Sequence, residues 1–225
     1  MSASSRLHFS LADLIDRSGG GGWSATTLTN KQISNLKELL PWQAKQAGYE
    51  LVPNRQGQSV FDTLRPMNES QAHPNSLSSR YGHDQQPLHT DGAHHAKVPD
   101  LILLWAEGCN DVPTRIWRPR YVPPSETCGI FSVTDGKHHW VSGARDRQGN
   151  YRFDPGCMRP LDHFSRLLWE RFQNPPEDEI ELFRWDAPNS VLLIRNGVVL
   201  HGRSFVEDRD LDRELHRVAM RRMEK

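Results

Sequence analysis

Cysteine is scarce in this 225-residue sequence: Cys109, Cys128 and Cys157 are the only three, and no C-x-x-C pair occurs. An odd count without paired spacing speaks against a disulfide framework and against a structural thiolate–zinc site. It fits a reducing, cytoplasmic setting. A surplus of one charge is also lacking, since Lys+Arg and Asp+Glu are 28 each and the formal net charge is zero. That balance argues against partners held by overall electrostatics, nucleic acid and anionic membrane surfaces alike. Long apolar runs are missing as well. No window approaches the roughly 20 apolar residues of a bilayer span, and the opening MSASSRLHFSLADLIDR lacks the continuous apolar core of a signal peptide. The glycine run Gly19–Gly22 is not followed by Gly-Lys-Ser/Thr, so it reads as a solvated joint rather than a phosphate cradle.

What is present suffices for a folded globule. The chain is long enough for one sizeable core and short for two, which predicts a single domain over residues 1–225. Ser10 to about Arg17 reads as a short helix. In NKQISNLKELLPWQAKQAG, Ile33, Leu36, Leu39 and Leu40 fall at helical spacing, with Pro41 ending the periodic stretch. The middle changes character. DLILLWAEG, TRIWRPR, CGIFSVTDG, HHWVSGARD and YRFDP are short β-branched or aromatic runs between Gly, Pro and Asn turns. LDHFSRLLWERF interrupts them as a helix with Asp162 as candidate N-cap. EIELFRW, SVLLIRNG, VVLHGRSF and RELHRVAMRR then resume the strand pattern. The reading is a mainly β domain with flanking helices, an antiparallel sandwich or barrel. Nothing in the pattern sets an oligomeric state.

The densest chemistry lies in PLHTDGAHHAKVPD, Pro87 to Asp100, with three histidines and two aspartates. A metal site, a catalytic base with its orienting acid, and a polar loop all fit it. His89-Thr90-Asp91 places two ligating side chains two residues apart, and an extended backbone turns both to one face. A third candidate, His201, ends an apolar strand pattern in NGVVLHGRSF, and Gly202 after it permits close approach. Two imidazoles and one carboxylate suit one face of an octahedral Fe(II), leaving positions open for other ligands. Two unrelated surface histidines remain the plain alternative.

NSLSSRYGHDQQPLHTDGAHH, VVLHGRSF and RELHRVAM, in that order over residues 75–220, resemble the taurine dioxygenase and clavaminate synthase superfamily. The resemblance implies a double-stranded β-helix, the cupin-like jelly-roll, and an Fe(II)- and 2-oxoglutarate-dependent oxygenase. It implies His89, Asp91 and His201 as the iron ligands, and O₂ and 2-oxoglutarate as co-substrates. Arg217, sixteen residues after His201, matches the arginine that pairs with the far carboxylate of 2-oxoglutarate. A planar guanidinium suits that two-pronged contact. Arg213, four earlier and hence on the same strand face, resembles a second arginine near that carboxylate, and Thr114 matches a hydroxyl on the same group. The implied reaction hydroxylates a small polar metabolite, amino-acid-like or a natural-product intermediate, releasing succinate and CO₂. Halogenating relatives replace the carboxylate ligand by a small residue; Asp91 keeps it, which favours hydroxylation.

Ser78, Arg80 and Arg203 are the candidate substrate contacts, each with an equally plain role as a polar loop or rim residue. His94 and His95 are expected to line a loop near the site, and His138 and His139 to alternate inward and outward on a strand. RFDPGCMRP resembles a superfamily segment with no role assigned. Two other classes fit parts of the pattern. A zinc-type metallohydrolase could recruit His94 or His95 and would need no arginine after His201. A non-catalytic jelly-roll binding module would need no redox metal.

Overall fold

The computed structural model describes residues 9–55, 57–74, 76–146 and 148–224. The leader reading rests partly on residues 1–8, and the quoted NSLSSR begins at Asn75; both lie outside the described residues. Ser10 starts the first helix: its hydroxyl accepts the Asp13 N–H at 3.2 Å and caps α1 (Leu11–Arg17). After the glycine turn come β1 (Trp23–Thr27), α2 (Asn30–Ser34) behind a Thr29–Gln32 capping box, and α3 (Leu36–Gln46). Pro41 does not end the helical stretch, as its sequence position suggested, but sits inside α3. It gives up one backbone hydrogen bond. Leu36, Leu40 and Ala44 are nevertheless fully buried along one face, and that packing carries the helix past the proline. β2 (Tyr49–Val52), β3 (Phe61–Leu64) and the single turn α4 (Ser78–Tyr81) follow. β1, β2 and β3 lie between and after the two helical stretches, where the sequence reading places no element; at four or five residues each, they are too short to show a period.

The expected strands of the middle are present as β4 (Leu101–Ala106), β5 (Asn110–Trp117), β6 (Ile130–Thr134) and β7 (His139–Gly143). A turn of helix, α5 (Pro124–Thr127), precedes β6. YRFDP departs from expectation: Tyr151 makes only an isolated bridge to Arg145, and the strand there is β8 (Met158–Pro160). Asp162 caps α6 (His163–Gln173) as anticipated, accepting the Ser165 N–H at 2.7 Å. β9 (Ile180–Trp185), β10 (Ser190–Arg195), β11 (Leu200–Arg203) and β12 (Leu215–Arg222) complete the chain.

All paired strands run antiparallel. One six-stranded sheet has the order β1-β10-β4-β12-β2, with β3 also on β12; the others are β11-β5-β9 and β7-β6-β8. β4 and β10 are apolar at nearly every position because both faces of their sheet are covered. Leu101, Leu103, Trp105, Val191 and Leu193 pack under α1 and α3. The alternate residues Ile102, Leu104, Leu192 and Ile194 meet Ile116 and Trp185 of the facing sheet. The result is an antiparallel β-sandwich flanked by helices. A separate cluster joins Leu168 and Phe172 of α6 to Phe131, Tyr151 and Phe153. It holds the third sheet against the segment that leads to the site.

The account of α3 makes a measurable claim. Leu40→Ala should cost about 2–5 kcal/mol in denaturant unfolding, the usual range for emptying a closed leucine site. A loss below about 1 kcal/mol would mean that this face does not hold the helix.

Candidate active site

Two distant segments meet at a single backbone pairing. His89 and His201 form an isolated antiparallel bridge in which each N–H donates to the other's carbonyl, at 2.9 and 3.0 Å. Directly opposed residues project their side chains to the same face. The two imidazole centroids accordingly lie 5.0 Å apart. Thr90, fully buried, points the other way and is fixed in turn: its N–H donates to the Phe153 carbonyl at 2.7 Å and its hydroxyl to the Tyr151 carbonyl at 3.1 Å. Asp91 therefore returns to the histidine face, as the two-residue spacing requires. Gly202 admits the Gln86–Pro87 backbone, whose carbonyls would lie 2.8–3.0 Å from any Cβ there.

The three side chains converge. Asp91 Oδ1 lies 3.5 Å from His89 Nε2, and Oδ2 lies 3.6 Å from His201 Nε2. One ligand atom from each fits within 4.8 Å of the others, and all three residues are at most 8 % exposed. His89 Nδ1 sits 3.0 Å from the Pro87 carbonyl, which can only accept. Nδ1 therefore carries the proton, and Nε2 presents its lone pair to the centre. His201 Nδ1 is buried without a partner among the described residues, so no competing contact draws that ring from the centre. Two imidazole nitrogens and one carboxylate with room between them match the donor set of a divalent iron site.

Arg217 shapes the charge. Its Nη1 donates to both Asp91 oxygens at 3.0 and 3.1 Å, and its Nη2 to Asp62 on β3 at 2.8 Å. Burial alone would raise the Asp91 carboxyl, but Arg217 and the two imidazoles outweigh it and hold the group well below the usual carboxylate range. Burial keeps His201 below its ordinary value, whereas at His89 the same burial is overcome by Asp91, which leaves it raised. Asp91 is thus an anion with its counter-charge already beside it.

The triad forms one wall of a cavity of about 400 Å³. Ser78, Thr114, Arg203, Arg213 and Arg217 all line it as well. Their roles separate. Thr114, opposite Arg203 in the β11–β5 register, accepts the Trp185 Nε1–H at 3.1 Å. Arg213 lies two residues before β12, which begins at Leu215, so strand continuity does not set its face, although both arginines line the cavity. Its Nε donates to Asn110 Oδ1 at 3.1 Å, and no carboxylate lies within ion-pair distance among the described residues. Burial pushes it down to about 10. Arg203, also pushed by burial to about 10, spends Nη2 on the Gly82 and Asp84 carbonyls and leaves Nε without a partner.

Other candidates fall outside the metal centre. Arg80 does not line the cavity; it donates to the Pro155 carbonyl at 2.8 Å. His94 and His95 both direct Nε2 to the Asn54 carbonyl, at 3.0 and 2.8 Å, which commits those nitrogens away from a metal. His138 and His139 are both exposed rather than alternating, because His138 lies in the turn before β7, its N–H donating to Asp135 Oδ1 at 2.7 Å, and His139 opens the exposed face of that strand. Four residues escaped the sequence reading. Asp62 lies on an unanticipated strand, and Asp154 of RFDPGCMRP lines the cavity. Arg152 ties down the histidine loop through the Ala93, His95 and Ala96 carbonyls, and Asn196 binds the backbone of Asp91. Arg152 and Asp154 lie in the segment that resembles the superfamily but points to no role, Asp62 and Asn196 carry no motif, and the partners of all four are set by the fold.

No protein-family model matches the chain, and no curated protein does. Solved structures do. The chain aligns with the non-heme iron oxygenase OrfP in complex with Fe, succinate and (3S)-hydroxy-L-Arg at TM-score 0.67 and 16 % identity, over 93 % of this chain and 78 % of that one. The chain has the fold of a non-heme iron oxygenase. An asparagine oxygenase in complex with Fe(II), 2S,3S-3-hydroxyasparagine and succinate shares that oxygenase fold at TM-score 0.58 and 15 % identity, over 74 % of this chain. The chain spans 58 % of that protein's length. PvcB from Pseudomonas aeruginosa matches at TM-score 0.59 and 13 % identity, over 92 % of this chain and 79 % of its own.

The geometry predicts which histidines matter to a metal. His94→Ala and His95→Ala should each leave anaerobic Fe(II) affinity within a few-fold of wild type. A collapse of affinity in either variant would place that histidine among the ligands.

Proposed function

We propose that this chain is an Fe(II)- and 2-oxoglutarate-dependent oxygenase, one catalytic domain with a jelly-roll core, that hydroxylates a small amino-acid-like metabolite. The observation that carries the reading is the convergence of His89 Nε2, Asp91 and His201 Nε2 in a cavity that Arg213 also lines, with no carboxylate in ion-pair contact with that arginine among the described residues. His89, Asp91 and His201 would hold the iron facially, leaving positions for the co-substrates. Bound iron with 2-oxoglutarate and O₂ supplies the oxidation: the co-substrate leaves as succinate and CO₂, and one oxygen atom goes to the substrate. The chain's own work is to fix the ligands, hold the anion and enclose the reacting C–H bond.

The co-substrate anchor is reassigned. The resemblance pointed to Arg217, but that fork is already spent on Asp91 and Asp62. Among the described residues Arg213 is a buried cation with no carboxylate in ion-pair contact, Asp210 acting on it only from farther off, and Thr114 and Arg203 line the same cavity. A buried charge is costly until paired, so an incoming carboxylate is stabilised most at Arg213. Arg217 instead keeps Asp91 ionised and oriented. The amino-acid character of the substrate is supported by the polar lining, which includes Asp62 and Asp154, and by the hydroxylated amino acids bound to the two oxygenases of like fold. The metallohydrolase alternative loses its extra ligands, since both His94 and His95 are committed to Asn54.

Anaerobic titration with Fe(II) and 2-oxoglutarate tests the reading directly. The visible charge-transfer band of the chelate should develop in wild type and be lost in Asp91→Ala and His201→Ala; a wild type without the band overturns the assignment. Arg213→Ala should raise the Michaelis constant for 2-oxoglutarate by about 10²–10³-fold, the scale of an orphaned buried anion. Arg213→Lys should recover only part of it. If Arg217→Ala alone carries that co-substrate defect, the anchor is Arg217 after all.

A further inference from the structure

Asp91 is the one ligand that no strand holds. His89 is fixed by its ladder with His201, and Thr90 by the Tyr151–Phe153 segment, but at Asp91 the chain leaves the ladder and turns through Gly92, with φ at +67°. Its backbone N–H and C=O would go without partners at a buried position, a costly state. Asn196 supplies both. Its Oδ1 accepts the Asp91 N–H at 3.0 Å, and its Nδ2 donates to the Asp91 carbonyl at 2.9 Å and to the Pro99 carbonyl at 2.8 Å. The Asn196 backbone N–H donates to the Asp100 carbonyl at 2.9 Å, and the residue is 2 % exposed.

The chemistry leaves little freedom at this position. The Asp91 amide can only donate, so the carboxamide oxygen must face it and the nitrogen must face the two carbonyls. A carboxylate would meet two carbonyl oxygens with no proton to share. A shorter side chain reaches neither group. The carboxamide therefore acts as a substitute strand neighbour at the point where the ladder ends. It also ties the two halves of the site, because Asn196 opens the turn that leads into Val199–Leu200 and then His201.

We propose that Asn196 is a positioning residue that sets the Asp91 carboxylate in metal-binding geometry, and so determines the metal affinity of the site. This rests on the metal-site reading above. Metal ligands tolerate only small displacements, and loss of a group that orients one typically weakens metal binding by about 10–100-fold.

The test uses Co(II) as an Fe(II) surrogate, titrated anaerobically into metal-free wild type, Asn196→Ala, Asn196→Ser and Leu40→Ala. Metal-free unfolding is measured for each. Both Asn196 variants should lose about 10–100-fold in Co(II) affinity and show shifted ligand-field bands, reporting altered coordination. Leu40→Ala, destabilised on the far face of the large sheet, should bind Co(II) within a few-fold of wild type with an unchanged spectrum. Wild-type affinity and spectrum in either folded Asn196 variant would overturn the proposal. So would an equal affinity loss in Leu40→Ala, which would make the effect general instability. If neither Asn196 variant folds, Asn196 is a determinant of folding rather than of metal geometry, and the proposal is likewise overturned. A wild type that binds no Co(II) would sink the metal-site reading itself, a result distinct from any of these.

Discussion

The mutual backbone hydrogen bonds between His89 and His201 are the constraint on which the site depends. The two residues come from segments more than a hundred positions apart, so the loop between them must close before either imidazole has a partner. Once the pair forms, the geometry follows with little further choice. Opposed residues on an antiparallel ladder send their side chains to one face, Thr90 is forced to the other, and Asp91 returns to the first. The large sheet, buried on both faces, and the α6 cluster behind Tyr151 and Phe153 hold the two segments in register. The ladder needs this support because a two-residue bridge is weak by itself.

Charge divides the cavity into two unlike regions. Around the triad, Arg217 sits between Asp91 and Asp62, and that local set carries one net negative charge with neutral imidazoles. A divalent cation is welcome there. Around Thr114, half-buried Arg203 and buried Arg213 have carbonyl and amide partners and no carboxylate contact among the described residues. That region favours a dianion's free end. A small molecule with a metal-binding keto acid at one end and a carboxylate at the other satisfies both regions at once. Each arginine's role follows from what already surrounds it, and sequence spacing alone cannot rank the two.

Sharing a fold at about 16 % identity with OrfP shows how little of the sequence the backbone frame requires. What must be kept is apolar volume at β4 and β10, a glycine where Gln86 and Pro87 pass, and the few polar side chains that replace missing strand neighbours. Arg152 and Asn196 belong to this last group. Each satisfies several backbone groups at a place where a loop leaves the sheet; Asn196 is buried and Arg152 half-buried.

Most strands of the second half were legible in the sequence, because β-branched runs between turn residues have few alternatives, YRFDP being the exception, and so were the helices that begin at Ser10 and Asp162. The sequence brought His89, Asp91 and His201 forward as candidates, since strand periodicity puts the first two on one face and His201 closes an apolar run, but their grouping as a ligand set came from the resemblance. It did not determine β1, β2 and β3, whose four or five residues show no period, nor the passage of α3 through Pro41, where packing of Leu36, Leu40 and Ala44 outweighs a lost hydrogen bond. It could not separate Arg213 from Arg217. A four-residue offset puts two side chains on one face only if the strand is continuous, and β12 begins between them. Only the tertiary structure decided which arginine meets carboxylates and which is left without one, because that depends on Asp62, brought alongside from a strand more than a hundred residues earlier.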